Sequence, residues 1–171
     1  SMTNTQRTLN ALVSLIICGV LVAAFGVEFI WREVPCPLCM LQRICMIGAA
    51  IGCMLNVKYG IHMSHYGLTL LSCLAGGTVA LRQISLHVCP GFPTFGIPVL
   101  GLSLYTWSFL VFVCTVLSVA GLLFLYDPQN NEDGDREMAG IEKLALSILF
   151  IVAAVNIFTT FYHCGLGPCH D

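Results

Sequence analysis

The chain has 171 residues, of which 57% are hydrophobic and only 9% charged, and its mean hydropathy is +0.87. A soluble domain spreads charge over about a quarter of its residues, so this chain cannot coat a globule and must turn apolar side chains towards lipid. Its net charge of -2 excludes the basic field of a nucleic-acid-binding protein.

Ser1, ahead of Met2, reads as the scar of a tag and is left out of the fold reading. Five apolar stretches follow in chain order: about Leu9 to Ile30, Met40 to Val57, Tyr66 to Leu86, Leu102 to Tyr126 and Leu144 to Tyr162. Each has roughly 18 to 25 residues, enough to cross a ~30 Å hydrocarbon core as a helix. Lipid leaves backbone groups no partner but their own chain, so helices are expected, and the alternating pattern of a barrel is missing. The first stretch is too long for a signal-peptide core. The connectors 31–35, 58–65 and 89–101 are short, and 127–143 carries Glu132, Asp133, Asp135 and Glu137 as a solvated acidic loop. Short connectors predict an antiparallel four-helix transmembrane bundle plus a fifth, C-terminal transmembrane helix, all in one integral membrane domain over 1–171.

Alternation of the spans puts the N-terminus, the second connector and the acidic loop on one side, with Arg7, Lys58, Arg136 and Lys143. Arg32, Arg43 and Arg82 fall towards the other side. By the positive-inside rule the N-terminus is cytoplasmic. Cys36, Cys39, Cys89, Cys164 and Cys169 then share the outer face, where an oxidising compartment lets disulfides persist. Cys18, Cys45, Cys53, Cys73 and Cys114 lie within the apolar stretches and are expected to be small buried hydrophobes.

The sharpest feature is Pro35-Cys36-Pro37-Leu38-Cys39 at the start of the second helix. Two thiols three positions apart can close a small disulfide ring, and the partial positive charge of a helix N-terminus favours a thiolate. Pro37 lies early enough that its missing N–H costs little. Arg43 follows Cys39 by four residues, on the same helical face and one turn deeper. A guanidinium there can stabilise the Cys39 sulfur or donate to a carbonyl oxygen of a bound acceptor; the blander reading is an arginine that snorkels to the headgroups.

Cys36-Pro37-Leu38-Cys39 with Gln42-Arg43, Leu81-Arg82-Gln83, and Gly101-Leu102-Ser103-Leu104-Tyr105-Thr106-Trp107 together resemble the disulfide bond formation protein B (DsbB) family of bacterial inner membranes. The resemblance covers about residues 9–126, leaving the acidic loop 127–143 and the extra helix with its Cys/His tail, 144–171. It implies a thiol:quinone oxidoreductase that reoxidises a soluble periplasmic DsbA-like thiol oxidase and passes electrons to ubiquinone or menaquinone. Cys36 and Cys39 would then form the quinone-proximal disulfide, with Arg43 on the ring's oxygen.

The chain departs from that pattern in two places. The connector after the third helix is short and holds only Cys89, and the fifth helix ends in His163-Cys164-Gly165-Leu166-Gly167-Pro168-Cys169-His170. Cys164 with Cys169, or Cys89 with either, is the expected partner-facing disulfide; Cys89 is otherwise a spare thiol or a transfer residue, and the pairing stays open. His87 and Arg82 lie at the same membrane face, where they could meet a quinone, or Arg82 could pair with Glu28 or Glu33. His62 and His65 read as loop residues of the other face. Trp31, Tyr105, Trp107 and Tyr162 suit an interfacial belt, and Gly48 and Gly76-Gly77 suit close helix approach. Three other readings compete. A membrane copper or zinc protein could use Cys36, Cys39, Cys164, Cys169 and the flanking histidines. A vitamin K epoxide reductase-like protein is disfavoured because its motif ends a late helix. A purely structural bundle leaves the Cys/Arg placement unexplained.

Overall fold

A computed structural model of the chain describes residues 2–30, 37–88, 104–126 and 140–164, with side chains over 5–30, 38–86, 106–126 and 140–162. Five α-helices account for nearly all of them: α1 Met2–Ile30, α2 Pro37–Tyr59, α3 Met63–Val88, α4 Leu104–Leu125 and α5 Gly140–Cys164. All five are long and apolar enough to cross a membrane. Their outward positions carry large apolar side chains such as Leu71, Leu74, Phe124, Phe150 and Phe158, the surface a helix presents when lipid replaces water as solvent.

Two helices begin well before their apolar stretches. The α1 helix starts seven residues ahead of Leu9, and α5 starts four ahead of Leu144. In both cases the added turns carry buried polar residues: Gln6 and Arg7 in α1 and Glu142 in α5. Gln6 finds hydrogen-bond partners on α3 and α4, and Arg7 faces Glu142, so the helix continues through residues that a hydropathy reading assigns to a loop. The connector expected over 58–65 shrinks to Gly60–His62. Gly60 has φ 101°, the left-handed region that ends helices and that only glycine enters cheaply. The Asn56 side-chain oxygen then accepts from the His62 amide at 3.0 Å, and the His62 carbonyl accepts from the amides of His65 and Tyr66, opening α3.

The α2 helix packs most extensively on α3 and next on α1; α3 also packs on α4, and α5 lies against α1 and α2. The core between them holds Ile17, Leu21, Ala49, Ala50, Val57 and Phe112. Small residues set the closest approaches. A methyl on Gly52 would lie 2.8 Å from the His65 carbonyl oxygen and 2.9 Å from the Thr69 amide. One on Gly48 would press on Ser72, and one on Gly76 would enter the Phe112 ring, whereas Gly77 has only a van der Waals neighbour.

A buried polar network ties α1, α2, α3 and α4 together. Tyr66 Oη donates to Gln6 Oε1 at 2.9 Å and accepts from Asn10 Nδ2 at 2.8 Å. Asn56 donates to Asn10 Oδ1 at 3.2 Å, and Gln6 Nε2 donates to the Leu122 carbonyl at 3.0 Å. His65 belongs to this network rather than to a loop: its Nδ1 lies 3.1 Å from Asn56 Oδ1 and 3.2 Å from the Gly60 carbonyl. Next to Gln6 in sequence, Arg7 approaches Glu142 of α5 at 3.6 Å.

Candidate redox site

Cys39 stands in the first turn of α2, and Arg43 one turn on. The end of α1 and the last turns of α3 meet them there. Arg43 Nη1 lies 2.7 Å from Glu28 Oε2, with 11% and 5% of the two side chains exposed. The guanidinium also lies over the Phe25 ring, 4.8 Å from its centroid, one turn before Glu28 on α1. Arg43 is therefore turned into the protein and does not snorkel to the headgroups. A carboxylate partner and an aromatic face together make such a burial tolerable in an apolar layer.

The sulfur of Cys39 meets α3. Gln83 Nε2 donates to Cys39 Sγ at 3.6 Å, and Gln83 Oε1 accepts from Gln42 Nε2 at 2.7 Å. Gln42 and Gln83 are both buried, at 4% and 1% exposure. The first two turns of α2 thus present one sulfur, one cation and one amide towards α1 and α3.

The remaining sequence-predicted residues are placed as follows. Cys36, Cys89 and Cys169 lie outside the described residues. Cys164 is the last residue of α5 and His87 belongs to the last turn of α3, both with side chains outside the described set. Arg82 is exposed and forms no ion pair with another described residue: Glu28 is taken by Arg43 instead, because Arg82 and Gln83 are adjacent on α3 and only Gln83 faces inward. Cys18, Cys45, Cys53, Cys73 and Cys114 are helical free thiols; Cys18, Cys53 and Cys73 are buried as expected, whereas Cys45 is half-buried and Cys114 is exposed on the outer surface of α4. Among the described residues no three His, Cys, Asp or Glu side chains gather as a metal site. Glu28 and Phe25 went unassigned a role beside Arg43 in the sequence, and Gln42 and Gln83 appeared there only as motif neighbours. The one available signal was a glutamate eight residues before Cys36, in the last turn of an otherwise apolar span.

The profile of the family described as Disulfide bond formation protein DsbB matches residues 6–95, more than half of the chain. The chain belongs to the DsbB family. Its matched region contains every residue of the cluster around Cys39 and Arg43. The chain is 37% identical over 90 residues to disulfide bond formation protein B of Marinobacter nauticus, covering 50% of this chain and 54% of the relative. It is 34% identical over 70 residues to disulfide bond formation protein B 2 of Burkholderia lata, covering 40% and 42%. A longer match, 29% identical over 150 residues, covers 69% of this chain and 93% of disulfide bond formation protein B of Cupriavidus necator. The chain thus spans about half the length of the first of these DsbB relatives. No solved structure matches it. DsbB membership and five span-length helices make it a multi-pass membrane protein.

Proposed function

We propose that the protein is a membrane thiol:quinone oxidoreductase in which Cys36 and Cys39 pass the electrons of a periplasmic dithiol to a quinone. The observation that carries this reading is the placement of Cys39 and the inward-turned Arg43 one helical turn apart on α2. The reduced pair gives up two electrons and two thiol protons; the Cys36–Cys39 disulfide closes and the quinone becomes quinol. Arg43 keeps N–H donors beyond the one aimed at Glu28, and one of these suits a ring carbonyl oxygen. The neighbouring Phe25 ring supplies a flat apolar wall. Ubiquinone or menaquinone fits this cation-and-aromatic surface as the electron acceptor.

The partner is a periplasmic DsbA-like thiol oxidase. Its dithiol is reoxidised by exchange through mixed disulfides, first with an outward pair drawn from Cys164 and Cys169, and then onward to Cys36/Cys39. Cys89 is the spare or transfer thiol. His87 and Arg82, on the last turns of α3, attend the quinone, His87 as a proton relay and Arg82 as a charge at the membrane edge. The helix contacts support an antiparallel four-helix arrangement of α1–α4 with α5 added against α1, within one domain over 1–171. The chain lies in the bacterial inner membrane with its N-terminus cytoplasmic and its redox cysteines periplasmic.

The test is purified protein in detergent with a reduced dithiol partner and a water-soluble ubiquinone analogue, followed by loss of the quinone absorbance. Steady bleaching by the native protein, abolished in Cys39→Ser, is expected. Equal bleaching by both would refute the assignment.

A further inference from the structure

The two glutamines beside Cys39 form a directed pair. A side-chain amide has one donating and one accepting end. Gln42 Nε2 donates to Gln83 Oε1 at 2.7 Å, which commits the accepting end of Gln83 to α2. Its donating end faces Cys39 Sγ at 3.6 Å, and its oxygen, through its second lone pair, also lies within reach of a thiol proton at 3.8 Å. Both amides are buried, so turning either one alone would set two donors or two acceptors face to face, at a cost of about 1–3 kcal/mol per unsatisfied group. The neutral thiol can therefore donate weakly to the Gln83 oxygen, whereas the thiolate can only accept, from the N–H.

We propose that Gln42 and Gln83 act as a positioning pair for Cys39, holding an amide N–H towards its sulfur so that the thiolate, which gains a charge-assisted bond stronger than the thiol's bond to the amide oxygen, is favoured. The inference rests on the reading of Cys39 as the redox sulfur and adds what sets its reactivity. Among the described residues the charged groups at this end of the helices are Glu28 on α1 and Arg43 on α2, which pair with each other, and the exposed Arg82 on α3. The contact from α3 to the sulfur is made by Gln83. Gln83 does this through Cys39 and is a positioning residue; Gln42 does it through Gln83.

The experiment is alkylation of Cys39 by N-ethylmaleimide in the full chain carrying Cys36→Ser, read at that residue by mass spectrometry, with no quinone present. Gln83→Met keeps the side-chain volume and removes the donor. It is expected to slow alkylation about tenfold near pH 7, the factor that ~1.4 kcal/mol gives, and to leave the rate unchanged at about pH 10, where the thiol is ionised without help. Gln42→Met should slow it in the same direction by a smaller factor, because Gln83 is then free to turn; this variant carries the test if Gln83→Met does not fold. An unchanged rate near neutrality would overturn the inference, and so would equal slowing at both pH values, which marks altered access. A protein with the expected pattern that fails to reduce quinone would refute the proposed reaction and leave the amide pair standing.

Discussion

Arg43 of α2 and Glu28 of α1 form an ion pair of 2.7 Å inside a layer of apolar side chains. It joins the turn that carries Cys39 to the end of the preceding helix, so the position of the cation under the sulfur depends on a residue outside the Cys-x-x-Cys segment. Removing one partner of a buried pair leaves the other charge without compensation, at about 3–5 kcal/mol. Removing both does not.

Arg43→Met and Glu28→Met should therefore each lower the thermal stability of the purified protein strongly, and the double variant should recover much of the loss. Quinone reduction should not return in the double variant, because the cation is still missing. Thermal unfolding in detergent beside a quinone assay separates these outcomes. Recovery of both together would mean that Arg43 serves packing alone.

Tyr66→Phe removes a hydroxyl that pairs Asn10 with Gln6. A loss of about 1–3 kcal/mol is expected, the cost of leaving buried polar groups unpaired. This network joins the early turns of α1 and α3, whereas Cys39 meets a late turn of α3 and Arg43 the late turns of α1. Thermal unfolding should register the change while quinone reduction per folded molecule stays at the native value.

Two glycines give an internal control for helix packing. Gly52→Ala puts a methyl against backbone atoms of His65 and Thr69, which can move only if α2 and α3 separate. Gly67→Ala meets nothing within 4 Å. The first should destabilise the protein, and the second should leave it unchanged or raise its stability by up to about 1 kcal/mol through helix propensity. Paired unfolding curves decide the point.

The proposed orientation predicts that a membrane-impermeant maleimide, applied to intact cells, labels Cys164 or Cys169 after reduction. A cysteine introduced by Lys58→Cys should be labelled only after the membrane is permeabilised. The reverse pattern would invert the topology and with it the compartment of the chemistry.

The spans were legible in the sequence because hydropathy integrates over about twenty residues and needs no knowledge of contacts. Their ends were not, since Gln6, Arg7 and Glu142 turn inward and find partners on other helices. The relation of Cys39 to Arg43 was readable for a similar reason: spacing within one helix fixes the shared face. Spacing says nothing of what approaches from another helix. Glu28 was offered only as a partner of Arg82 and not of Arg43, and Gln42 and Gln83 stood 41 residues apart with no signal that their amides meet. His65 was read as a loop residue because Gly60 and the polar residues around it resemble a longer connector, yet the helix resumes at Met63. Gly52, the tightest backbone approach between α2 and α3, was passed over beside the more conspicuous Gly76-Gly77.

The most direct measurement is a single turnover. The fully reduced protein is mixed anaerobically with one equivalent of a ubiquinone analogue, and its disulfides are mapped by mass spectrometry before and after. A new Cys36–Cys39 bond, formed in step with one quinol per chain, is the predicted result. Quinone that stays oxidised while Cys36 and Cys39 remain thiols would contradict the account.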